Sequence, residues 1–170
     1  MLSESEVLSQ EIESTLPYFN LSLVDKLVNE IKKSTSSENF ENICILISLN
    51  RRKVYFRSGK NTSSENNMWI NKKLNTVEAF DHSTFYKKAV YAGNEAKFYQ
   101  DTGFSPKEFT IGGGGFPIFV KDVGIVGSLI ISGLTDFEDH QLAYDSLISL
   151  KKELWFINII KHLISTGFLY

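Results

Sequence analysis

Seven of the chain's 11 glycines fall between Ile111 and Gly133: the run Gly112–Gly115, then Gly124, Gly127 and Gly133. Such a stretch is a poor helix, because each glycine gives up the most backbone freedom on ordering. Its apolar residues instead fall into strand-length pieces, Phe116–Val120 and Gly124–Ser132, separated by Lys121-Asp122-Val123. Paired strands with tight bends are the natural outcome. Successive glycines also let backbone N–H groups converge on an anion or a flat ligand. A strand rather than a helix follows the run, so it is no dinucleotide fingerprint, and no Walker motif is present. The favoured reading is a strand-edge bend that lets Phe116-Pro117-Ile118 pair correctly.

The preceding sequence supplies the remaining elements. Leu2, Val7, Leu8, Ile12 and Leu16 stand among acidic residues as the apolar stripe of a first helix, which Pro17 ends. Ser22-x-x-Asp25 reads as a capping box for a helix carrying Val24, Leu27, Val28 and Ile31. The apolar run Ile43–Leu49 predicts a central strand, and Lys53–Arg57 an outer strand joined to it by a hairpin. Thr62-x-x-Glu65 predicts the start of a helix running to Phe80, followed by helices over Asp81–Tyr91 and Glu95–Tyr99. A strand at Phe109–Ile111 precedes the two glycine-rich ones, and Thr135-x-x-Glu138 caps a last helix through Ala143, Leu147, Leu150, Leu154 and Ile157. Helix, two strands, helices, three strands, helix describes one α/β (α+β) domain over 1–170, an antiparallel sheet of about five strands with helices packed on it.

Composition excludes several functions. With 18 basic and 20 acidic residues the net charge is −2, without the basic field that nucleic-acid binding needs. The one cysteine, Cys44, rules out an internal disulfide, and inside Ile43–Ile47 it reads as a buried small hydrophobe. The acidic N-terminal stretch lacks a secretory pattern, and the longest apolar run, Gly124–Leu134, is too short to span a bilayer. A cytoplasmic protein without membrane or nucleic-acid partners is expected.

Chemistry-bearing residues are sparse. His82, in Phe80-Asp81-His82-Ser83-Thr84, stands at a break between helices, where an imidazole can bind a metal or haem iron, carry a proton, or cap a helix. His140 follows Asp139 in the first turn of the last helix, whose Asp136, Glu138 and Asp139 suit the helix dipole. Ser83, His82 and Asp139 make a Ser-His-Asp set on paper, without a nucleophile elbow. Trp69 reads as a core residue, with Lys72 and Lys73 solvated on the other face of its helix. Beyond Trp155 the last helix is apolar around much of its circumference, which points to a second copy of the chain as a partner.

Four motifs occur in order: Asn67–Lys73, Phe80–Tyr86, Gly113–Ile118, and Gly124–Leu134 with Asp139-His140. Together they resemble uncharacterised protein family 0303, a branch of the GlcG/HbpS-like (haem-degrading domain) superfamily, over roughly residues 17–152. The resemblance implies a profilin-like sandwich, oligomer formation and haem as a possible cofactor, while fold by itself does not fix activity. Members of the branch usually carry a histidine where this chain has Gly112, and an arginine where it has Asn71. The ligand-binding set implied by motif and resemblance is His82, Ser83, Gly112, Gly113, Gly114, Gly115, Asp139 and His140. Three readings follow: an oligomeric small-molecule-binding protein holding a cofactor such as haem, an enzyme using His82 on haem or another small molecule, and an assembly scaffold.

Overall fold

The computed structural model describes residues 2–166. In chain order the elements are α1 (Glu4–Glu13), α2 (Val24–Lys33), α3 (Ser37–Asn42), β1 (Cys44–Leu49), β2 (Arg52–Ser58), α4 (Ser64–Phe80), α5 (Thr84–Val90), α6 (Glu95–Thr102), β3 (Gly115–Val120), β4 (Gly124–Ser132) and α7 (Asp136–Ser165). The strands form one antiparallel sheet in the order β2-β1-β4-β3.

Alternation along the strands makes two faces. Ile45 and Ile47 of β1, Leu129 and Ile131 of β4, and Phe116 and Ile118 of β3 join one buried cluster with Leu27 and Ile31 of α2 and Leu147, Leu150 and Leu154 of α7. Cys44, Leu46 and Ile130 face the other way and pack against Ile70, Leu74 and Val77 of α4. The sheet is thus covered on both faces, and its central strands are apolar on both sides, as burial on both faces requires. Cys44 is a buried free thiol.

The sheet has four strands, not five. At Phe109–Ile111 the backbone of Thr110 is held by a side chain: Thr76 Oγ1 on α4 donates to the Thr110 carbonyl (2.8 Å) and accepts from its N–H (3.2 Å). The outer edge of β3, where a fifth strand would pair, is taken by Leu16. The Leu16 N–H donates to the Phe119 carbonyl and the Lys121 N–H to the Leu16 carbonyl, both at 2.9 Å. The predicted apolar stripe of α1 is also displaced. Val7 and Glu11 are its buried residues, whereas Leu8 and Ile12 are exposed.

Two helix starts shift from expectation. Asn20, rather than Ser22, caps the chain ahead of α2 through a short 3-10 turn, Leu21–Leu23. Ser63 with Asn66, rather than Thr62 with Glu65, forms the capping box of α4. The box at Thr135 and Glu138 forms as the spacing predicts.

Candidate functional site

The predicted site residues separate into three places. His82 and Ser83 lie between α4 and α5, under α1. Glu11 of α1, 1% exposed, bridges them: its Oε2 is 2.6 Å from His82 Nδ1, and its Oε1 accepts from the Ser83 N–H at 2.7 Å. Ser83 in turn caps α5, its Oγ accepting from the Tyr86 N–H. Tyr86 stacks on the His82 ring at 4.2 Å. A carboxylate only accepts, so His82 Nδ1 carries the proton that faces Glu11. The His82 side chain keeps 34% of its surface exposed.

Asp139 lies elsewhere, at the N-terminal end of α7. It is buried and accepts from three donors: Lys73 Nζ at 2.9 Å, the Gly133 N–H at 3.3 Å and the Leu134 N–H at 3.0 Å. Lys73 also donates to the Ile131 carbonyl at 2.9 Å. This overturns the expected exposure of α4: Lys73 is 3% exposed, while Trp69 keeps 38% of its surface and carries Lys72 over its ring. A buried ammonium survives only with partners, and the end of β4 together with α7 supplies them. Lys73, Asp139, Gly112, Thr110, Ser132 and Trp69 border a recess of about 260 Å³.

All four glycines of the run are buried. A Cβ at Gly113 would stand 2.0 Å from the Asp136 carbonyl oxygen, and one at Gly114, whose φ is +111°, 2.3 Å from that of Ile131. Close approach of α7 and β4, not an open cradle, therefore accounts for these two residues. Gly115 gives its N–H to Thr84 Oγ1 at 3.0 Å, so α5 covers the run. Gly112 alone borders the recess, and its N–H is taken by Thr110 Oγ1.

His140 occupies the third place. It has no exposed surface and stacks on Phe85 (4.7 Å), with Phe116 tilted beside it at 5.4 Å. Its Nε2 lies 2.8 Å from Gln10 Oε1 on α1, which makes Nε2 the donor and leaves Nδ1 buried without a partner among the described residues. Burial pushes this imidazole down to about 4. His82 and His140 thus both meet α1, through adjacent residues Glu11 and Gln10, but face different surroundings.

Sequence reasoning missed Glu11, Gln10 and Lys73. Glu11 had one available signal, lying one turn after Val7 on the face that docks. Among the described residues no cluster of three or more His, Cys, Asp or Glu is placed to hold a metal ion, and no helix is long and apolar enough to cross a membrane.

Known proteins share this architecture. The family model described as "Haem degrading protein HbpS-like" matches residues 19–147. A UPF0303 protein of Lactiplantibacillus plantarum is 49% identical over 153 residues, covering 90% of this chain and 98% of the relative. The crystal structure of the Ybr137w protein superposes with a TM-score of 0.79 at 28% identity, over 91% of this chain and 90% of that one. The crystal structure of the PduOC:heme complex shares the fold at 15% identity, with a TM-score of 0.61 over 78% of this chain and 94% of its own. Matched by the family model over most of its length and by a UPF0303 protein nearly end to end, the chain belongs to the HbpS-like family, in its UPF0303 branch.

Proposed function

We propose that the protein binds a small cofactor at its surface, with haem the leading candidate, on a scaffold built from copies of the same chain. The observation that carries this reading is the Glu11–His82 contact. Imidazoles that ligate metals commonly give their second N–H to a carboxylate, which fixes the tautomer and aims the free nitrogen. Here Glu11 does this from a buried position, and the His82 side chain keeps a third of its surface open to solvent. The family description and the haem held by the PduOC neighbour support haem over other ligands.

The residues fit iron as a ligand through His82 alone. Haem would bring a redox-active iron, and this chain would supply an oriented imidazole with the stacked Tyr86 ring beside it. The recess at Gly112, about 260 Å³, is below the roughly 300–1,000 Å³ of pockets that enclose drug-sized ligands. Supporting self-assembly, α7 leaves Trp155 66%, Phe156 61% and Ile164 58% exposed, more apolar surface than a solitary helix end favours.

Titration of the purified chain with haemin tests the reading. A shifted Soret band is expected, lost in His82→Ala and weakened in Glu11→Ala. An unchanged spectrum, or one indifferent to His82→Ala, would sink it.

A further inference from the structure

At the far end of α4 from the Lys73 recess, the sheet face beneath the helix changes character. Cys44, Leu46 and Ile130 fill the space under Ile70, Leu74 and Val77. One step further along the strands, Ser48 stands directly opposite Ser128. Two short hydroxyl side chains where apolar ones would continue the packing leave a cavity of about 460 Å³ under the last turn of α4.

Both serines are buried, at 1% and 2% exposure, and Ser48 Oγ has no hydrogen-bond partner among the described residues. A buried hydroxyl left unpaired is a standing cost. The cavity's rim is charged on two sides. Glu78 and Asp81 come from the last turn and cap of α4, and Arg51 from the turn between β1 and β2. None of these three takes part in an ion pair among the described residues. The carbonyl end of α4 adds partial negative charge on the side of Glu78 and Asp81.

We propose that this cavity binds a small zwitterion of the α-amino-acid class. Its ammonium group is held by Glu78, Asp81 and the carbonyl end of α4, and its carboxylate by the guanidinium of Arg51, whose planar fork suits a carboxylate. Its side chain lies against Val77, over the floor to which Ser48 and Ser128 contribute. The site is separate from His82 and does not depend on haem binding.

Calorimetric titration of the full chain with each standard L-amino acid tests this, with ethanolamine and propionate as arms lacking one of the two charges. At least one amino acid is expected to bind, and both single-charge compounds to bind at least about tenfold more weakly. Glu78→Gln and Arg51→Gln, at partly or fully exposed positions, are each expected to weaken binding by about tenfold or more. Ser48→Ala, which removes an unpaired buried hydroxyl, is expected to raise resistance to denaturant. His82→Ala must leave it unchanged, which separates this site from the haem reading. The proposal is overturned if no amino acid binds, if ethanolamine binds as tightly as the best amino acid, or if the two charge variants bind like the wild type. Stabilisation by Ser48→Val in a chain that binds no amino acid would likewise reduce the cavity to a gap in packing.

Discussion

Two histidines that look alike in the sequence, each next to a polar residue near a helix start, are driven apart by burial. His82 meets a carboxylate and open surface. His140 meets two aromatic rings and an amide, and burial holds its imidazole at about 4 against an ordinary 6.5. Between those values the unfolded chain binds a proton that the folded chain refuses. The neutral His140 therefore contributes full stability above about pH 6.5 and loses it as the pH falls toward 4, by about 3 kcal/mol. Urea unfolding at about pH 7 and about pH 4.5 checks this. The wild type should lose more stability across that interval than His140→Gln, and an equal loss in both would contradict the assignment. Gly112 belongs to the same scale. A Cβ there would lie 3.2 Å from Thr110 Oγ1 and 3.3 Å from Asp136 Oδ1, so a larger residue at this position needs side chains to give way but no backbone to move.

Between elements, the contact of greatest consequence is Lys73 with Asp139, which ties the middle of α4 to the start of α7 and the end of β4. Lys73→Met strands a buried carboxylate and is expected to cost about 3–5 kcal/mol in denaturant unfolding. Pairing it with Asp139→Asn should recover part of that loss, since the amide oxygen can still accept from the Gly133 or Leu134 N–H groups. Equal losses in the single and double variants would show that the pair is not coupled. Elements with strong local signals were legible in the sequence: the apolar run of β1, the capping box of α7 and the helical register of Leu147, Leu150 and Leu154. The fifth strand was not, because whether Phe109–Ile111 pairs depends on the distant Thr76 and on Leu16 reaching the β3 edge first. The same holds for α1. Its sequence favours a stripe through Leu8 and Ile12, but docking is decided by Glu4, Glu11 and Glu13, which meet Tyr86, His82, Ser83 and Tyr144. Partners so far apart in the chain leave no local trace. The candidate site was therefore half legible: His82 and Asp139 stood out, while Glu11 and Lys73, which position them, did not.

For the molecule as a whole, the outer half of α7 exposes Trp155, Phe156 and Ile164, and Trp155 borders a groove of about 290 Å³ together with Leu16, Pro17 and Lys151. If copies meet there, light scattering after chromatography will give a multiple of the 19.3 kDa chain mass. Trp155→Glu with Phe156→Glu should then return the mass toward one chain, whereas a wild type already at one chain mass would remove the scaffold. The manner in which copies can meet is narrowed by the sheet's two unequal margins. Leu16 pairs with the Phe119–Lys121 end of the outer margin of β3, while β2, at the other margin, carries the exposed Arg52 and Lys53, and its pairing with β1 is bulged near Ile47. A third or fourth copy therefore finds no flat, uncharged ribbon on which to stack end over end. A chain with these margins is guarded against running away into fibres, and any association through its helices is free to close on itself and stop.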